Sequence, residues 1–148
     1  MKLIRARIAA AVVFASMLGS TACARECLPE VRGGWVRMPP MAMPMLAGFG
    51  RIENPCSQAI TVIGVSSPSF AGASLHETRI VDGISRMRPI GKLRIAAGDA
   101  ATLQPGGLHL MLMQPKTPLV APDTVVIEFA LEGGGALRSE FVLRKPGD

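Results

Sequence analysis

The chain has no tyrosine, one tryptophan and five phenylalanines in 148 residues, and only 18% of it is charged. It also has no cluster of lysine and arginine interleaved with aromatics, so the basic, stacking surface of a nucleic-acid interface is missing. It contains two histidines, and no Ser-His-Asp or paired-carboxylate arrangement accompanies them. No catalytic set can be assembled, and an enzyme is not expected. The three cysteines include no CxxC pair of the kind that holds a metal. The apolar run at residues 8–18 spans eleven residues, well short of the about 20 that a membrane-crossing helix needs, so no transmembrane helix is expected.

What is present begins with an export signal. Lys2, Arg5 and Arg7 precede that apolar run, and the small residues "ACA" follow at 22–24. This is the pattern of a secretory signal peptide over residues 1–24, which leaves residues 25–148 as a single periplasmic domain. "STAC" at 20–23 is similar to a bacterial lipoprotein processing site, with Ser20 where a bulky aliphatic residue is usual; a lipid anchor at Cys23 is therefore the alternative to simple removal. All 11 acidic residues lie beyond residue 24 but three of the 16 basic ones do not, leaving 13 basic against 11 acidic and a net charge of +2. Cys27 and Cys56 remain as an even pair in an exported protein, where a disulfide is expected. Closing that loop would stabilise the fold by roughly 3–4 kcal/mol in the chain-entropy model. Metal binding by the two thiols is the rival reading.

The rest of the chain is punctuated by proline and glycine, and no window sustains a helical period. Short strands are expected at 35–37 and 48–53, the second stopped by Asn54-Pro55, with an irregular Pro/Met segment between them. "QAITVIGVSS" reads as a third strand. "ASLHETRIVDGISRMRPI" reads as two strands about Asp82-Gly83, a strong hairpin signal. A strand at 101–103, a Pro-Gly-Gly turn, the strand "LHLMLM" and a final hairpin over 123–145 complete the series. Many short strands at regular spacing indicate an all-β, antiparallel sandwich or barrel.

"GGLHLMLM" at 106–113 alternates strictly. In an extended chain Leu108, Leu110 and Leu112 face one way, as core, while His109, Met111 and Met113 face the other. The Asp82-Gly83 hairpin allows a similar deduction. With these two as loop residues Val81 pairs with Ile84 and Thr78 with Met87, so His76 and Met87 become diagonal neighbours about 7–8 Å apart on one face. The chain thus offers two His–Met pairs. If they converge, they make a site of two imidazoles and two thioethers, a soft and uncharged donor set that suits Cu(I) and is a poor partner for Mg, Ca or Zn. A blue-copper centre would also need a cysteine thiolate, which the disulfide removes.

The spacing His76, ten residues, Met87, twenty-one residues, His109, one residue, Met111 resembles the signature of the PCuAC-type periplasmic copper chaperones. The words "WVR" at 35–37, "AGFGRIEN" at 47–54, "SSP" at 66–68, "LHET" at 75–78, "MRP" at 87–89 and "PGGLHLMLM" at 105–113 are similar to that family as well, and the likeness covers about residues 35–130. The resemblance implies a cupredoxin-like Greek-key β-sandwich in which His76, Met87, His109 and Met111 bind Cu(I). It also implies delivery to a copper-accepting partner, an oxidase subunit with a CuA site or a Sco-type protein, by a monomeric carrier. Sequestration of copper for tolerance, and a structural sandwich without metal, are the alternatives.

"MPPMAMPM" contributes Met38, Met41, Met43 and Met45. This segment is either an apolar loop folded over the sandwich end or a flexible auxiliary thioether patch that captures or hands over Cu(I); Met113, on the ligand face, is either a substitute ligand or packing. Glu77 points away from His76 in a regular strand, so it is a weak candidate for orienting the imidazole.

Overall fold

The computed structural model describes residues 27–147; the leader, its cleavage site and Cys23 lie outside the described residues. Within them the secondary structure is all strand: β1 (Glu30–Arg37), β2 (Met45–Glu53), β3 (Ile60–Ser66), β4 (Phe70–Val81), β5 (Ile84–Pro89), β6 (Leu93–Ile95), β7 (Ala100–Leu103), β8 (Leu108–Pro115), β9 (Thr124–Leu131) and β10 (Ala136–Arg144). No helix among the described residues is long and apolar enough to cross a membrane.

The strands hydrogen-bond in the order β5-β4-β8-β7-β2-β1-β10-β9-β3-β6, with β8 also paired directly to β2. That order cannot lie flat. β3 and β4 are joined by residues 67–69 alone, yet each stands one strand in from an opposite edge. Even through the direct β8–β2 pairing they are six spacings apart, about 29 Å in a flat sheet. A three-residue connection reaches only about 14 Å. The sheet therefore folds back on itself, and β3 and β4 line a common cleft with Ile90.

The enclosed side is the core. Val36, Ile52, Leu110, Leu112, Ile127, Phe129, Phe141 and Leu143 are buried there, each alternating along its strand with more exposed neighbours. Leu110 and Leu112 lie on this side as the alternation of β8 requires, and Leu108 packs against its margin. All strand pairings are antiparallel except β1 with β10 and the single Leu103–Leu108 contact of β7 with β8. The wholly antiparallel arrangement expected from the hairpins fails at these two places. Local turns dictate antiparallel neighbours but say nothing of how the first and last strands meet.

Several strand bounds differ from expectation, among them β4, which begins at Phe70, and β8, which runs on to Pro115. β1 begins at Glu30, because a bulge between Arg32 and Trp35 carries the strand through Gly33 and Gly34. β2 begins at Met45, which takes that residue out of the irregular segment. β6, only three residues long, is too short to show a period and was not expected. Cys27 and Cys56 are joined in a disulfide with a Cα–Cα distance of 5.6 Å, which removes both thiols from metal binding. Next to it Asn54 is almost wholly buried. Its amide donates to the carbonyls of Gln58, Ile95 and Ala96, and its Oδ1 accepts from the Cys56 N–H. A residue that reads as a strand stop is also the knot between two loops.

Candidate metal centre

The hairpin of β4 and β5 has the deduced register: Val81 opposes Ile84, Thr78 opposes Met87 and His76 opposes Pro89. Asp82 and Gly83 both take positive φ, 54° and 74°, the conformation a two-residue turn of this hand demands. On its other side β4 pairs antiparallel with β8, and there His76 stands directly opposite His109 and Ser74 opposite Met111. Opposed residues project to the same face of a sheet. His76, Met87, His109 and Met111 consequently share one face of the β5-β4-β8 ribbon, with His76 in the middle. Met87 and Met111 are its diagonal neighbours on either side.

The two rings are tilted by 34° with centroids 6.1 Å apart. An ion held by one nitrogen of each ring at roughly 2 Å would keep the ring centres about 5–6 Å apart, so the observed separation lies just beyond that range. His109 is buried, at 9% exposure, while Met87 is 53% exposed. The face thus has an anchored imidazole at one end and a solvent-accessible thioether at the other.

Hydrogen bonding assigns the nitrogens. His109 Nδ1 lies 3.0 Å from the Gly107 carbonyl, which can only accept, so Nδ1 carries the proton and Nε2 keeps its lone pair. The same carbonyl accepts the Thr78 N–H at 3.0 Å and ties the Pro-Gly-Gly turn to β4. His76 Nε2 lies 3.0 Å from Ser74 Oγ. Its Nδ1 is buried with no hydrogen-bond partner, the one such side-chain atom among the described residues. A buried polar atom left unpaired is costly, and with the Nε2 proton donated to Ser74 Oγ the His76 Nδ1 would present its lone pair to a metal. The His76 pKa is lowered from the usual imidazole value, first by burial and then by the nearby charge of His109. That favours the neutral form that binds metals.

Hard-ligand sites are missing from this face. Among the described residues no group of three or more His, Cys, Asp or Glu could hold a metal ion. Glu77, the acidic residue nearest in sequence to His76, is engaged by Arg79 and Arg88, which hold its carboxylate below the usual range.

The remaining methionines divide. Met113, 39% exposed, lies on the His109 face, opposite Gly72 on one side and Met45 on the other. Met41 and Met43 are exposed in the connection between β1 and β2, whereas Met38 packs against the core. Sequence reasoning missed two contributors, Ser74 and the Gly107 carbonyl. Ser74 lies two residues before His76, hence on the same face of an extended chain, and that spacing was the available signal; the Gly107 carbonyl is backbone and no residue pattern marks it.

Comparison with known proteins follows the same lines. The family model described as "Putative lipoprotein LpqE-like" matches residues 30–142. A curated relative, "Putative lipoprotein Lxx21020" of Leifsonia xyli subsp. xyli, is 32% identical over 147 residues, covering 90% of this chain and 84% of its own length. Among solved structures, CuI-DR1885 from Deinococcus radiodurans aligns with a TM-score of 0.66 at 27% identity over 87% of each chain. The copper-bound PCuAC domain from PmoF2 aligns with a TM-score of 0.64 at 16% identity, covering 80% of this chain and 93% of that domain, a likeness of fold.

Proposed function

Because this chain belongs to the LpqE-like family and has the fold of PCuAC copper chaperone domains, we propose that it is an exported carrier of Cu(I). It binds one ion as cargo through His76, Met87, His109 and Met111. The observation that carries this reading is the meeting of those four side chains on one face of the β5-β4-β8 ribbon. His109 Nε2 and the unpartnered His76 Nδ1 would supply the nitrogens. The two thioethers would make the site selective for a soft monovalent ion and keep it uncharged apart from the cargo.

Methionine also suits an oxidising compartment, where free thiols are lost to disulfides. Transfer follows from the difference in accessibility. Met87 is open to solvent and His109 is not, so an incoming partner ligand displaces the Met87 thioether first and the imidazoles last. The acceptor is a copper-binding protein outside the cytoplasm, an oxidase subunit with a CuA site or a Sco-type protein. The lipoprotein relatives support export to the periplasm and a lipid anchor at Cys23.

X-ray absorption of the Cu(I)-loaded protein tests the ligand set: two nitrogen and two sulfur scatterers are expected, and a shell of nitrogen and oxygen alone would contradict it. A deletion strain tests the role. Loss of oxidase assembly at ordinary copper supports delivery, while loss only of growth at high copper assigns the protein to sequestration.

A further inference from the structure

The register that assembles the four-residue face continues past it. β2 pairs antiparallel with β8 so that Met45 stands opposite Met113 and Ala47 opposite Met111. The Gln114 N–H donates to the Pro44 carbonyl at 2.6 Å, which makes 44 with 114 a hydrogen-bonded pair and the next pair, Met45 with Met113, a non-hydrogen-bonded one. Side chains approach most closely at such pairs, with Cβ atoms about 4.5–5.5 Å apart. On the far side of Met113 the partner is Gly72, and a Cβ there would lie 3.0 Å from the Met113 methyl. The glycine leaves room for the thioether to lie across β4.

Neither methionine serves the core, which Leu46 and Leu112, the neighbouring residues, fill from the other face. Met45 is 46% exposed and Met113 39% exposed. Met113 is two residues from Met111, one same-face step of about 7 Å along β8. Met41 and Met43 stand exposed in the segment leading into β2.

We propose that Met45 and Met113 form a second, weaker thioether site for Cu(I), one strand step from the four-residue site. Two uncharged sulfurs without an imidazole hold the ion loosely. The step from Met113 to Met111 then lets it pass between solvent and the tighter site. The identity of the ion rests on the function proposed above; the register that opposes the two methionines does not.

The test is an anaerobic Cu(I) titration, under reductant, of protein labelled at the methionine methyl carbons and followed by NMR. The first equivalent is expected to move the Met87 and Met111 methyls, and the second, of lower affinity, those of Met45 and Met113. The Met45→Leu/Met113→Leu double variant, which conserves side-chain volume, is expected to keep the first equivalent and lose the second. The inference is overturned if the Met45 and Met113 methyls stay fixed in the wild-type protein while Met87 and Met111 respond, or if the double variant still binds two ions. Movement of Met45 and Met113 without Met87 and Met111 would uphold this site and overturn the four-residue one.

Discussion

At the scale of single residues, the nitrogen donors are prepared by unlike partners. A backbone carbonyl fixes the His109 tautomer and needs no side chain, whereas His76 depends on the Ser74 hydroxyl. Ser74→Ala is therefore expected to weaken Cu(I) binding by about 10–100-fold, the usual cost of losing such an outer partner, with little change in the urea midpoint of the apo protein. An equal loss of stability and affinity would make Ser74 merely structural. The lowered His76 pKa has a consequence for the apo fold. Between that value and the ordinary 6.5 the unfolded chain binds more protons than the folded one, so stability is present above 6.5 and is lost as pH falls through the lowered pKa. Urea midpoints at pH 5 and pH 7.5 are expected to differ less in His76→Ala than in the parent. The ligand candidates were legible because two histidines and paired methionines are rare in this composition. Ser74 was not, since its spacing places it on the His76 face without saying that its hydroxyl reaches the ring.

At the scale of elements, the site is a matter of register. β5 is an edge strand that contributes Met87 alone, and the Asp82-Gly83 turn sets where that side chain falls. Inserting one residue between Ser85 and Arg86 sends Met87 to the opposite face. It is expected to weaken Cu(I) binding as much as Met87→Ala does, with the thermal transition retained because every residue of β5 is exposed. Chelator competition and circular dichroism check the two halves of this prediction. The hairpin could be deduced because turn chemistry is local, and the faces of β8 because alternation is local. The pairing of β4 with β8, which sets His76 against His109, could not. It joins strands separated by three others in the sequence, and only the closing of the sheet decides it. β6 escaped notice for want of length, and the parallel meeting of β1 and β10 for the same non-local reason.

At the scale of the whole molecule, stability and metal binding are separable. The disulfide spans 29 residues of sequence and fastens the start of the described chain to the loop after β2. Replacing both cysteines by serine is expected to cost about 3–4 kcal/mol in urea unfolding, through the freed denatured chain, and to leave Cu(I) affinity unchanged. A loss of copper binding in a still-folded variant would return the thiols to the ligand set. The all-β sandwich was legible from proline, glycine and β-branched punctuation along the chain, and the even cysteine pair from export. Both are properties of the molecule as a whole and are written in composition.

The central claim is that four named side chains hold one Cu(I). Competition between the protein and a chromophoric Cu(I) chelator, under reducing conditions, tests it when repeated for His76→Ala, Met87→Ala, His109→Ala and Met111→Ala. Tight one-to-one binding that weakens in each of the four variants, most in the histidine pair, is the predicted result. Binding that is absent, or indifferent to all four substitutions, would contradict the account.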